Sequence, residues 1–255
     1  MQMFKLPDYF EEAGYQCPSD MSGGPFQYAR NTKLHTFQWI AQHPREQNAF
    51  NVTMALRTRQ LDDYKWFDVY PIEEALQQPS PSGVFAVELG GGMGFNMTSL
   101  KDRFMGRIPG KLVVQDTTVV TDANKSFVPG VELMTHDFFK RQPLRHANFY
   151  FCGHILHNWS DKDAKTILKH IKDAMGPDSV LLLNETIMPE RDASFELAAL
   201  DLMMMTAFSS LERTEEQFGS ILDEVGLKLV HVWGENRKDP RSGSFEQWVL
   251  EARLK

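Results

Sequence analysis

From position 84 onward the chain alternates short apolar runs with longer mixed segments. Val84-Phe-Ala-Val-Glu-Leu89 halts at glycines, as expected of a strand buried on both faces of a parallel sheet. Similar runs recur at residues 111–115, 131–135, 148–152 and 180–184, separated by segments that suit a helix or a crossover. This rhythm predicts an α/β fold with a doubly wound, mostly parallel sheet. The end reads differently. Residues 227–233 and 244–251 are separated only by a polar loop with Asp239-Pro240 and Gly243, predicting two antiparallel strands that close the sheet as a terminal hairpin. Seven strands result. Residues 1–80 lack strand-like alternation; they are rich in aromatics and Met and are punctuated by Pro18, Gly23-Gly24-Pro25, Pro44 and Pro71. They predict a helical lead-in packed on an α/β domain of residues 81–255.

Composition narrows the class. The 255 residues, 42% hydrophobic and 24% charged, describe an ordinary globular chain with room for one large domain and an appendage. Lys and Arg are outnumbered 27 to 34 by Asp and Glu, which argues against nucleic acid and favours a small-molecule substrate. Apolar stretches fall well short of the roughly 20 residues that span a bilayer. The N-terminus has no apolar signal core. Two distant cysteines, Cys17 and Cys152, make a disulfide scaffold improbable, and a cytoplasmic location is expected.

The most informative local signal is Val87-Glu88-Leu89-Gly90-Gly91-Gly92-Met93-Gly94, which leaves a strand and enters an amphipathic stretch ending near Phe104. Glycines there let the backbone turn sharply and approach a ligand closely. The spacing is not G-x-G-x-x-G, and no Lys-Ser/Thr follows, so a nucleoside without phosphates fits better than a pyrophosphate. The next strand ends at Asp116, 22 positions after Gly94, where a carboxylate can accept hydrogen bonds from ribose hydroxyls. A turn or capping aspartate is the alternative. Asp137-Phe138 follows the third strand, where a carboxylate and a ring could bracket an adenine. Their order across successive βα units points to an adenosyl group.

After the fourth strand comes His154-Ile-Leu-His157-Asn158-Trp159-Ser160-Asp161, at the sheet edge where open α/β folds place ligands. His157 can take the proton of a phenol or enol; alternatively it caps the helix that Ser160 or Asp161 begins. His154 reads as a packed strand residue. No metal-binding motif such as H-E-x-x-H is present, and no metal is expected.

These motifs resemble the plant and fungal small-molecule O-methyltransferases of caffeate and sterigmatocystin type. The matching segments are Glu88 to Gly94, His157 to Asp161 and Glu212 to Thr214. The resemblance extends over essentially the whole chain. It implies a Rossmann-like class I methyltransferase fold and S-adenosyl-L-methionine as cofactor, with S-adenosyl-L-homocysteine as product. It also implies fungal secondary metabolism and a small aromatic or polyketide hydroxyl as methyl acceptor. His157 becomes the general base flanked by Glu185 and Glu212. Glu88, Gly90, Gly91, Gly92, Gly94, Asp116, Asp137 and Phe138 become the cofactor residues. Met54, Met203 and Phe208 become pocket walls. Core packing is the plainer reading of the helix containing Asp201-Leu-Met-Met-Met205, since only one of three consecutive residues faces a given side.

Two departures matter. Asn158 replaces the family's usual Asp, and Gly153 replaces a basic residue, so weaker cofactor binding is expected. The family's helical dimerisation domain normally precedes the point where this sequence starts, which leaves a homodimer open. Two alternatives follow: a cofactor-binding pericyclase or dehydratase without methyl transfer, and a silent binding partner of a full-length enzyme. Retention of His157, Glu185 and Glu212 together favours methylation.

Overall fold

The computed structural model describes residues 3–60, 65–117, 130–234 and 248–255. Seven strands form one sheet: β1 (Val84–Leu89), β2 (Lys111–Asp116), β3 (Glu132–Thr135), β4 (Phe149–Gly153), β5 (Val180–Glu185), β6 (Leu227–Trp233) and β7 (Trp248–Leu254). Their spatial order is β3-β2-β1-β4-β5-β7-β6. The first five run parallel, while β7 pairs antiparallel with both β5 and β6. The terminal hairpin expected from the polar loop is thus present, with β7 inserted between β5 and β6. Residues 244–247 of the expected last strand lie outside the described residues.

All six residues of β1 and of β5 are buried, which explains why both read as continuous apolar runs. Their side chains part by alternation. Val87, Leu89, Leu181 and Leu183 enter one core, with Ile167, Leu168 and Ile171 of helix α7 (Asp161–Lys172) and Phe218, Ile221 and Leu222 of α9 (Glu215–Glu224). Phe85 and Leu182 enter the other, with Met97 and Leu100 of α6 (Phe95–Arg103).

The first 80 residues contribute α1 (Leu6–Glu12), α2 (Pro25–Arg30), α3 (Thr36–Ala41), α4 (Pro44–Gln60) and α5 (Trp66–Val69). Trp66 and Phe67 of α5 are buried in the second core, so this part of the lead-in closes the sheet's face rather than decorating it. Farther up the chain, α3 and α8 (Phe195–Phe208) meet through Phe37, Leu200, Met204 and Phe208. The Thr36 hydroxyl donates to the Ala207 carbonyl at this contact.

The strand order reverses between β1 and β4. The carboxyl ends of these two strands frame the crevice position at which open α/β sheets bind ligands.

Candidate active site

Both walls of that crevice are built from short, tightly constrained loops. On the β1 side, Gly90, Gly92 and Gly94 have φ of 64°, 55° and 71°, a left-handed region that costs an L side chain about 1–2 kcal/mol. Crowding adds to conformation at Gly90 and acts without it at Gly91. A Cβ on Gly90 would lie 2.6 Å from Ile155 Cδ1, and one on Gly91 would lie 2.7 Å from Glu88 Cδ and 2.8 Å from Val114 Cγ1. The loop is pinned from the neighbouring strand, where Asp116 Oδ2 accepts from Gly92 N at 2.8 Å and Oδ1 accepts from Thr117 N at 2.7 Å. Asp116 therefore holds the glycine loop from the neighbouring strand. Burial raises its carboxyl above the ordinary range.

Beneath the loop, Glu88 is buried; its Oε1 accepts from Asn96 Nδ2 at 2.7 Å and its Oε2 has no hydrogen-bond partner among the described residues. Desolvation pushes this carboxyl up to about 8, helped by the nearby Asp116 charge and opposed by the Asn96 bond. Asp137 accepts from Phe139 N at 2.9 Å, shaping the turn after β3. Phe138 packs edge-on against Trp159, with ring centroids 5.6 Å apart, and its ring edge lies 3.5 Å from where a Cβ on Gly90 would sit. The structure thus gathers the glycine loop, one buried and one half-buried carboxyl, and an aromatic edge at one place. These groups suit a nucleoside with a ribose diol: acceptors for hydroxyls and backbone close enough to line a flat group.

On the β4 side, His157 and Glu212 are buried, with Nδ1 2.8 Å from Glu212 Oε1. Because a carboxylate only accepts, Nδ1 carries the proton and Nε2 is the basic nitrogen. His157 is no helix cap, since Ser160 Oγ caps α7. Glu185 does not touch the imidazole by hydrogen bond; its Oε1 accepts from the Ile155 and Leu156 amides at 3.0 and 2.7 Å. It shapes the loop that carries His157. Burial raises the Glu185 carboxyl to about 7, with His157 pulling it down and Glu212 pushing it up.

His154 departs from expectation. It lies one residue past β4, half-buried, with φ of 53°, so the strand ends before it and the chain turns left-handed there. Its amide donates to Asn184 O at 2.9 Å and its carbonyl accepts from Asn158 Nδ2 at 3.1 Å.

The residue that sequence reasoning passed over is Arg213. It is buried at 1% exposure, and Nε and Nη2 donate to Asp161 Oδ1 at 3.0 and 2.8 Å. Nη1 donates to Leu156 O and Nη2 to Trp159 O, each at 2.8 Å. Ser210 Oγ adds contacts of 2.7 and 2.8 Å to the carbonyls of His157 and Trp159. Asp201 Oδ1 accepts from Glu212 N at 2.8 Å. The cation between Glu212 and Thr214 was visible in the sequence, but its partners lie more than 50 residues away and nothing local announced them.

Among the expected pocket residues, Phe208 is buried, with its ring 5.0 Å from Phe37 and 6.2 Å from His35. Met54 and Met203 are 37% and 48% exposed. Within the 201–205 run it is Met204, not Met203, that packs in the core. His35 stacks on Trp159 at 4.7 Å and its Nδ1 accepts from Phe37 N. Burial holds that ring neutral, its pKa lowered to about 4.

The O-methyltransferase domain family matches residues 21–228. Demethylsterigmatocystin 6-O-methyltransferase of Aspergillus parasiticus is 36% identical over 226 residues, which is 88% of this chain and 57% of that protein. The chain therefore spans somewhat over half the length of that relative. Among solved structures, a pericyclic reaction enzyme is 28% identical with a TM-score of 0.86, covering all of this chain and 64% of that one. OxaC in complex with SAH and oxaline is 27% identical with a TM-score of 0.86, covering all of this chain and 63% of that one.

Proposed function

The chain belongs to the O-methyltransferase domain family, and we propose that it methylates a hydroxyl of a small aromatic or polyketide-type secondary metabolite. S-adenosyl-L-methionine is the cofactor and His157 the general base. The observation that carries the proposal is the buried His157–Glu212 pair at the strand-order reversal, beside the glycine loop.

In this reading Gly90 to Gly94 line the adenosyl group, Asp116 accepts from its ribose, Phe138 and Asp137 flank its adenine, and Glu88 closes the floor. The cofactor supplies an electrophilic methyl. His157 Nε2 removes the acceptor's hydroxyl proton while Nδ1–H stays on Glu212, whose carboxylate stabilises the imidazolium that results. Base assistance of this kind contributes about 10²–10⁴-fold. Arg213, Ser210 and Glu185 hold the loop so that the imidazole meets the oxygen in register. Phe208 walls the acceptor pocket, with Met54 and Met203 as adaptable surfaces at its mouth. The reaction releases S-adenosyl-L-homocysteine. No helix among the described residues is long and apolar enough to cross a membrane. Cys17 and Cys152 are both free, which supports a reducing, cytoplasmic setting.

The resemblance to a pericyclic reaction enzyme at a TM-score of 0.86 supports one other reading, in which the bound sulfonium's charge assists a rearrangement without methyl transfer. Incubation with methyl-labelled cofactor and a panel of phenols decides between them. Labelled product that disappears in His157→Ala supports the methyltransferase, and turnover without label refutes it.

A further inference from the structure

We infer that His154, His157 and Glu185 form a binding site for Zn²⁺, and that its occupancy switches methyl transfer off. Each of the three residues offers one ligand atom, and these atoms all lie within 4.8 Å of one another. Two imidazoles and a carboxylate make up a donor set that zinc takes with a fourth position left to water or substrate. Zinc bonds of about 2.0–2.2 Å put neighbouring ligands roughly 3.4 Å apart, so each side chain needs to move by less than about 1 Å. No linear motif announces the whole set, because two ligands follow the end of β4 and the third ends β5.

Three further observations point to a cation there. Glu185 is fully buried; its Oε1 is taken by two backbone amides, while Oε2 has no hydrogen-bond partner among the described residues. A second buried carboxylate, Glu212, holds His157 Nδ1, the carboxylate–imidazole arrangement that orients metal-binding histidines and directs Nε2 to the ion. His154 is held in the left-handed region at φ 53°, a conformation with a cost for a non-glycine residue, by bonds at both its amide and its carbonyl. The turn brings its ring within 5.5 Å of the His157 ring, centroid to centroid. A dication would also offset the two buried carboxylates.

Zinc on His157 Nε2 occupies the lone pair that the proposed reaction uses as its base. The binding half of the inference is independent of that reaction; the inhibition half rests on the methyltransferase reading. The test uses untagged protein carrying Cys17→Ser, which removes an exposed thiol, a group of the type that competes for zinc. Competition between the cofactor-free protein and a chromogenic zinc chelator is expected to give one site. Both His154→Asn and Glu185→Gln are expected to weaken it at least tenfold. Asn is chosen at 154 because it tolerates the left-handed turn. Methyl transfer by His154→Asn in the presence of EDTA is expected to match the parent, with the zinc inhibition curve shifted at least tenfold to higher concentration. A chain that binds zinc but transfers no methyl overturns the functional reading and leaves the site standing. Absence of a stoichiometric site, or affinity unchanged in both variants, overturns the site.

Discussion

Replacing Arg213 by Met removes the guanidinium and keeps most of the stem's volume, so it isolates what the fork does. Two of its bonds go to main-chain carbonyls of the loop that carries His157, at Leu156 and Trp159. Hydrogen bonds to a charged group contribute about 1.5–3 kcal/mol each, a gross loss of about 3–6 kcal/mol. Three features reduce it. Leu156 O still accepts from Trp159 N, and Trp159 O still lies within reach of Ser210 Oγ. Asp161, the ion-pair partner, is 56% exposed and rehydrates when the cation goes, so no buried charge is orphaned. The variant also no longer desolvates a cation, a penalty of several kcal/mol. The net expectation is about 1–3 kcal/mol by urea unfolding, within a total of about 5–15 kcal/mol. Asp161→Asn should cost under about 1 kcal/mol. The larger effect falls on turnover: with Ser210 as the sole side-chain tether on the carbonyls of residues 156–159 among the contacts described, the imidazole shifts, and kcat should drop at least tenfold while the folded variant still binds cofactor. Stability lost by more than about 4 kcal/mol, with turnover of the folded fraction unchanged, would show that Arg213 holds the domain together and does not aim the base.

Other consequences are sharper but simpler. His157→Ala should lower kcat by at least about 10²-fold with cofactor affinity by calorimetry unchanged, whereas Asp116→Ala should weaken cofactor binding first; equal losses of both quantities in each variant would exchange or dissolve the two roles. Glu88 has its pKa raised from 4.5 to about 8, so it binds protons more tightly folded than unfolded. Its stabilising contribution is therefore complete below pH 4.5 and lost as pH rises towards 8, a decline on the order of 4–5 kcal/mol. Urea midpoints of cofactor-free Glu88→Gln should lack that decline, and an identical slope in both proteins refutes it. Gly90→Ala should cost about 1–3 kcal/mol and weaken cofactor binding, since it meets both φ of 64° and Ile155 Cδ1 at 2.6 Å; a thermal midpoint within a degree of the parent would contradict this.

What could be read in advance follows from the range of each interaction. Strands buried on both faces write themselves as apolar runs, so β1, β2, β4 and β5 were placed within a residue or two. The insertion of β7 between β5 and β6 is a pairing choice, which side-chain pattern does not encode. The glycine loop was legible because its conformational demand is local, as the positive φ at Gly90, Gly92 and Gly94 makes plain. Glu185 was legible as a residue but not in its contacts: it holds backbone amides of the loop and leaves Glu212 to hold His157. Arg213 and Ser210 act on carbonyls more than 50 positions away, and main-chain acceptors carry no residue-type signal at all. His154 was misplaced because an apolar run ending in Cys152-Gly153 gave no sign that the turn would be taken by a histidine and not by the glycine before it.

The two walls of the crevice are mechanically one object. Ile155 is the link: its amide is fixed by Glu185, its side chain abuts Gly90, and the residues just after it carry the His157 imidazole. Phe138 lies near the same position, 3.5 Å from where a Cβ on Gly90 would sit, and packs edge-on against Trp159. Trp159 in turn stacks on His35, at the start of α3. A change of shape in the glycine loop therefore cannot leave the base loop where it was, because close-packed interiors transmit sub-ångström displacements without absorbing them. On this geometry cofactor affinity and base alignment are coupled through Ile155. Truncation there to Ala, which leaves the amide bond to Glu185 intact, should loosen both together, where His157→Ala and Asp116→Ala separate them.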